Sequence, residues 1–287
     1  MGRVGTKKDH EGRGAGFGVS LGFFPGLARE AVLAKVAAAG FREVELPSTA
    51  DVLENWLAAP LATRRAVEAA GLRVRSVHTP PEGWLNAEPD EAVRQGSVRA
   101  ACACLRPAAE LGAETIIWHA NYHETPVPAG GLSASRELSR RSLGAFAERA
   151  GALGLRVAVE NTPELGHPRP CTTMADVLET IAGFGNHVGV CLDAGHSRSN
   201  FQDPAAEARA AGPRLYAVHL QDNQGAGGDE HLVPGRDMEG WDRLVRTLDE
   251  LGYSGGRMFE IHAEESGGDP DVTLKRLAEL VRRWSAL

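Results

Sequence analysis

Eight times along this chain, a short run rich in valine, isoleucine and leucine gives way to a loop and then to an alanine-, leucine- and arginine-rich stretch with helical spacing. The strand-like runs are "GFGVSL" (16–21), "REVELP" (42–47), "RVRSVHT" (73–79), "ETIIWHA" (114–120), "RVAVEN" (156–161), "HVGVCLD" (187–193), "LYAVHLQD" (215–222) and "RMFEIH" (257–262). Several helical stretches close on "AAG", "AELG", "GALG" or "DELG", offering a glycine at C′. The stretch after the third strand carries Pro107, which lacks an N–H and should kink or divide its helix. Strict β–α alternation means parallel strands covered by helices, and the near-continuous apolar character suits strands buried on both faces. Eight such units in 287 residues are what a closed (β/α)8 TIM barrel, an α/β fold, requires. A doubly wound open sheet is the alternative, but no Gly-x-Gly-x-x-Gly turn follows the first strand. The expected organisation is one barrel domain over 16–287, preceded by a polar, glycine-rich and disordered tail over 1–15.

In such a barrel the C-terminal strand ends open on one face, where catalysis takes place. From the third strand onward every strand ends in ligand-type chemistry: His78, His119, Glu160, Asp193 with His196 just beyond, His219 and Glu260. Asp229 and His231 lie in the long glycine-rich loop after the seventh strand. A single buried histidine or carboxylate at a strand end is usually a hydrogen-bonded structural residue. Six consecutive strands ending this way are not explained by packing, since gathered carboxylates repel one another unless cations neutralise them.

Imidazoles with carboxylates and no thiolates suit Zn²⁺, Mn²⁺, Co²⁺ or Fe²⁺ rather than Ca²⁺ or a structural four-cysteine zinc. Glu160, Asp193, His219 and Glu260 alone would hold one divalent ion with room left for substrate. His78, His119, His196, Asp229 and His231 would either hold a second or third ion or hydrogen-bond the substrate. Cys102, Cys104, Cys171 and Cys191 are irregularly spaced and read as buried reduced thiols. Trp118, Asn161, His123, His262, Arg198 and Arg236 fall near the expected mouth as candidate substrate contacts, either arginine being able to hold a phosphate.

The pieces "VAVENT", "GVCLDAGH", "VHLQDN", "DEHLVPG" and "FEIH", in this order, resemble the xylose isomerase-like TIM-barrel superfamily over about residues 16–285. That resemblance implies that Glu160, Asp193, His219 and Glu260 hold one metal. It also implies that Glu160 and Glu260 are the catalytic pair, carrying protons to and from opposite faces of a keto-sugar by way of an enediolate. Proton abstraction beside a carbonyl needs just such a positioned base and a Lewis acid. In the endonuclease IV branch, equivalents of all nine residues hold three zinc ions for phosphodiester hydrolysis, and every one is of the matching type here. Related sequences usually have glycine where Asp237 stands in "PGRDMEGW".

The expected function is therefore a metal-dependent isomerase or epimerase of a sugar, sugar phosphate or related keto-polyol. The alternatives are a tri-zinc AP endonuclease-like phosphodiesterase, a metal-dependent keto-sugar dehydratase or lyase, and a catalytically silent metal- or partner-binding barrel. A net charge of −7 and acidic loops after the second and third strands argue against a nucleic-acid partner, since phosphate contacts need cations. Trp84 in "PPEGWLNAEPD" either wedges into a duplex or caps a small substrate. No apolar run approaches the ~20 residues that span a bilayer, so no membrane partner is expected and the expected location is cytoplasmic. Homo-oligomerisation is left open.

Overall fold

The computed structural model describes residues 16–287 apart from 25, 123, 226 and 263–268, so the tail over 1–15 and His123 lie outside the described residues. The strands are β1 (Phe17–Ser20), β2 (Glu43–Leu46), β3 (Arg73–His78), β4 (Thr115–His119), β5 (Arg156–Glu160), β6 (Val188–Asp193), β7 (Leu215–Leu220) and β8 (Gly256–Phe259). Each pairs in parallel with its neighbours in chain order, and β8 closes on β1, giving a (β/α)8 barrel.

The helices cover the outside: α1 (Arg29–Ala38), α2 (Ala50–Leu57), α3 (Pro60–Ala69), α4 (Glu91–Ala103), α5 (Leu105–Leu111), α6 (Gly131–Ala152), α7 (Met174–Thr180), α8 (Ala194–Ser199), α9 (Pro204–Ala211), α10 (Met238–Glu250) and α11 (Pro270–Trp284). The third helical stretch is divided at Cys104, between α4 and α5, where Pro107 has no N–H to donate to the preceding turn. Gly112 ends α5 at φ 95°, a left-handed conformation that costs a glycine little.

The period-two alternation of each strand sorts its residues between two cores. Ile116, Trp118, Val157, Val159, Val190, Leu192, Val218 and Leu220 are buried in the large cluster between barrel and helices. Ile117, Ala158, Cys191 and Ala217 form a separate small cluster inside the barrel. Two residues beyond each of these four, on the same inward face, stand His119, Glu160, Asp193 and His219. The interior floor is apolar, and the layer above it carries the polar side chains.

The register holds that layer together, with one two-residue step between β5 and β6. His119 lies opposite Glu160, Glu160 opposite Cys191, and Asp193 opposite His219. At the other end of the barrel, Glu43 is engaged by Arg73, and Arg75 reaches Glu114 at 2.9 Å, so the charges there are paired with one another.

Candidate metal centre

Ala194 and Gly195 separate Asp193 from His196, and the glycine has a steric cause. Asp193 ends β6 and caps α8, accepting the His196 backbone N–H at 2.7 Å. A side chain on Gly195 would collide with Gln221, whose Nε2 donates to Asp193 Oδ1 at 3.1 Å. Asn161, fully buried, donates from Nδ2 to the Asp193 carbonyl at 3.0 Å and accepts the Asp193 N–H at 2.8 Å. Asn161 thus positions Asp193 and does not line the cavity as a substrate contact.

All nine sequence-derived ligand candidates meet at the C-terminal mouth. Donor atoms of Glu160, Asp193, His219 and Glu260 lie within 4.8 Å of one another, as do those of His78, His119 and Glu160, and those of His196, Asp229 and His231. His219 Nδ1 faces Glu160 Oε1 at 3.2 Å, Glu260 Oε2 at 3.0 Å and Asp193 Oδ2 at 3.9 Å. Asp193 Oδ2 is buried with no hydrogen-bond partner among the described residues.

The tautomers are set from outside the cluster. His78 Nδ1 donates to the Thr79 carbonyl at 3.0 Å, His196 Nδ1 to that of Asn161 at 2.8 Å, and His231 Nδ1 to that of Glu260 at 2.9 Å. A carbonyl only accepts, so each Nδ1 carries the proton and each Nε2 turns its lone pair toward a carboxylate. Those partners are Glu160 for His78 at 3.3 Å and Asp229 for His196 and His231 at 3.0 and 3.2 Å. His219 is held the other way round. Its Nε2 meets Glu45 Oε2 at 3.1 Å, Glu45 also accepts from Ser76 at 2.5 Å, and Nδ1 is left facing the carboxylates. Lone pairs aimed at anions are repulsive unless a proton or a metal lies between, and this outer fixation of imidazoles is how proteins orient metal-ligating histidines. The donor set and the orphaned Asp193 oxygen therefore fit a divalent cation.

Without a cation, protons take its place. Burial alone would lower His196 and His231, but the charges of Asp193, Asp229 and Glu260 override it and raise them to about 10 and about 9. Burial lifts Asp193 to about 6. Glu160 and Asp229 lie well below the ordinary carboxylate range despite burial, because of the histidines beside them. A histidine whose folded pKa is raised contributes stability that is complete below its unfolded value of 6.5 and is lost as pH climbs through its folded value. Metal-stripped protein is therefore expected to lose melting temperature between pH 7 and 10 as His231 and then His196 shed protons, leaving the carboxylates to repel. Metal-loaded protein should lose less over that range, because the ion's charge neutralises Asp193 and Glu260 and leaves the two histidines less to compensate. Thermal melts with and without chelator check this, and parallel pH profiles for the two forms would refute it.

The cavity over this cluster measures about 200 Å³. Trp84 stacks on His119 with ring centroids 4.3 Å apart and donates from Nε1 to the Thr79 carbonyl at 3.0 Å. It is a wall of the cavity held from behind, not a wedge free to enter a duplex. His262 stacks on His231 at 4.3 Å and also lines the cavity.

Three residues expected as substrate contacts stand away from this cavity. Trp118 is fully buried against Phe146 of α6 on the outer face of β4, because His119 occupies the inward position next to it. Arg198 lies over Trp241 at 5.2 Å and pairs with Asp237 at 3.3 Å. Arg236 donates from Nη1 to the Gln224 carbonyl at 2.6 Å. None of the three lines the cavity. Asp237, at the usual glycine position, has φ 47° and caps α10 through Gly240, so the left-handed conformation is kept with a non-glycine residue in it.

Sequence reading missed Glu45, which β2 places inward by the same alternation as the others. It also missed Arg169, which reaches the cavity from the loop after β5 and carried no periodic signal.

Residues 33–284 match the family described as xylose isomerase-like TIM barrel. Among solved structures, the chain is similar to D-psicose 3-epimerase from Clostridium cellulolyticum H10 (18% identity, TM-score 0.76, covering 93% of this chain and 98% of that one). It is also similar to a D-tagatose 3-epimerase-like protein (22%, TM-score 0.71, 93% and 98%) and to a 3-keto-D-glucoside 4-epimerase from E. coli (19%, TM-score 0.72, 93% and 99%). At these identities the likeness is one of fold. An uncharacterised protein of Mycobacterium tuberculosis (strain H37Rv) is 36% identical over 77 residues, 27% of this chain and 28% of that protein. One of Mycobacterium leprae is 27% identical over 177 residues, 55% of this chain and 59% of that protein. The chain thus spans between about a quarter and three-fifths of the length of the curated relatives it matches.

Proposed function

The chain belongs to the xylose isomerase-like TIM-barrel family, and from that premise we propose that it is a divalent-metal-dependent isomerase or epimerase of a ketose, meaning a sugar, sugar phosphate or related keto-polyol. The observation that carries this reading is the convergence of Glu160 and Glu260 on His219 Nδ1 beside Asp193, at the floor of a small cavity. Glu160, Asp193, His219 and Glu260 would hold one ion of Zn, Mn, Co or Fe. When bound, the ion supplies Lewis-acid polarisation of a substrate carbonyl and its neighbouring hydroxyl.

The chain's own residues do the rest. Glu160, held ionised by the surrounding imidazoles, takes the proton from the carbon beside the carbonyl, and Glu260 returns one from the other side, or the reverse. Glu45 and Ser76 keep His219 from rotating, and Asn161 with Gln221 keeps Asp193 in place. Trp84 screens one wall from water.

The second reading is hydrolysis of a phosphodiester by a three-metal cluster. It is favoured by the imidazole–carboxylate groups around Asp229 and around His78 and His119, which a one-metal enzyme does not need as ligands. Dehydration of a keto-sugar would share the first proton transfer and differ in the leaving group.

Metal-loaded protein incubated in D₂O with a panel of five- and six-carbon ketoses and their phosphates is expected to wash deuterium into the carbon beside the carbonyl, with an epimer or isomer appearing in step. NMR reads both. Deuterium uptake with loss of water indicates the dehydratase. Absence of uptake together with cleavage of abasic-site DNA refutes the isomerase in favour of the phosphodiesterase.

A further inference from the structure

One charge in the cavity has no part in that chemistry. Arg169 is 6% exposed and is the one lysine or arginine among the described residues that lines the cavity. Its Nη2 donates to the Pro163 carbonyl, which ties the guanidinium to its own loop. The loop is itself anchored, since Thr162 N–H reaches the Cys171 carbonyl at 2.8 Å and Asn200 donates to the Thr162 and Thr172 carbonyls. Arg169 Nε is buried with no partner, and the side chain forms no ion pair among the described residues. Asp229, the carboxylate whose charge bears on it most, is taken by His196 and His231.

A guanidinium out of water without a carboxylate partner is costly, and its planar fork matches a phosphate or carboxylate. Burial lowers its pKa only to about 10, so it remains a cation at neutral pH. Among the described residues, the carboxylates of Glu160, Asp193, Asp229 and Glu260 are engaged by imidazoles and, on the reading above, by metal. None of the described carboxylates forms an ion pair with Arg169, and on this ground the group that completes it arrives with the ligand.

We propose that Arg169 receives an oxyanion of the substrate, so that this site handles an anionic ketose, a sugar phosphate or a keto-sugar acid, in preference to a neutral sugar. This rests on the ketose isomerase reading. Arg169 forms no ion pair with Glu160 or Glu260 among the described residues, so an oxyanion received there need not displace either proton carrier. Binding energy gained there orients the reacting end without competing for the metal's ligands.

The test measures binding to the metal-loaded full chain by calorimetry, with intrinsic tryptophan fluorescence as a second readout. The probes are neutral five- and six-carbon ketoses, their terminal phosphates, and the corresponding keto-uronates. Wild type should bind one anionic class about tenfold or more tighter than the neutral parent, as hydrogen bonds to a charged group allow. The phosphate and uronate arms tell which oxyanion is meant. In Arg169→Leu that preference should collapse toward unity with neutral affinity retained, and Arg169→Lys should restore part of it at an unchanged melting temperature.

A charge preference that survives in Arg169→Leu would mean that the anion sits on the metal, and would overturn the assignment. Equal loss of neutral and anionic ligands would do the same, making Arg169 a prop for its loop. Metal-dependent binding of ketoses without any charge preference in wild type would overturn this inference alone. Absence of metal-dependent binding to every ketose would bring down the isomerase reading, and the inference with it.

Discussion

Glutamine in place of Glu160 is expected to lower ketose interconversion by about 10³-fold at saturating metal, within the range a positioned general base contributes. Glu160 is 1% exposed, and its carboxylate is approached by His78, His119, His196 and His219 at 3.1–3.5 Å. Glutamine keeps the shape but not the charge or the basicity, so Glu160→Gln removes the proton acceptor and weakens the metal set together. The two losses separate by measurement. Elemental analysis of the variant gives metal per chain, and only turnover corrected for occupancy reports on the base. A sharper signature comes from solvent deuterium. If Glu160 and Glu260 serve opposite faces, Glu160→Gln should still exchange the proton of the epimer that Glu260 abstracts while failing to convert it into the other. Glu260→Gln should show the mirror pattern. Turnover within tenfold of wild type at full occupancy would remove Glu160 from the proton-transfer role.

The barrel was legible because its signal repeats, and eight β–α units exclude most other architectures even where single boundaries slip by a residue or two. Six of the nine ligand-type residues were legible because they recur at or next to the ends of six successive strands, and His196, Asp229 and His231 because they follow in the segments just beyond. The errors came from reading strand ends without applying the alternation strictly. Once His119 faces inward, Trp118 must face the helices, and the same rule applied to "EVEL" sends Glu43 and Glu45 inside with His219. That much was recoverable from sequence. Arg169 was not, because its place depends on a loop with left-handed turns at Leu165, Gly166 and Cys171, which no periodicity announces. Arg198 and Arg236 failed for a related reason. Their sequence neighbours lie at the mouth, but long side chains on a loop take the nearest partners, here Asp237, the Trp241 ring and the Gln224 carbonyl.

Stripping the metal is expected to abolish turnover and to lower the melting temperature at pH 8 by roughly 10 °C, taking an ion present at about a thousand times its dissociation constant as ~4 kcal/mol of linkage for a chain of this size. The stabilisation follows from the groups that would otherwise face one another, namely Asp193 with its unpartnered oxygen, Glu160, Glu260 and Asp229, against histidines that lose their compensating protons as pH rises. Binding should release protons from His196 and His231 if they act as ligands, so calorimetry in buffers of different ionisation enthalpy counts them. The number of ions decides between the two chemistries. About one per chain, lost in Asp193→Ala and kept in Asp229→Ala, leaves His196, Asp229 and His231 for the substrate and supports ketose isomerisation. Close to three zinc ions, with one lost in Asp229→Ala, makes all nine residues ligands and moves the reaction toward phosphodiester hydrolysis. A melting temperature indifferent to chelator, with no ion taken up on reconstitution, would mean that protons alone hold the cluster together and that neither metal chemistry operates.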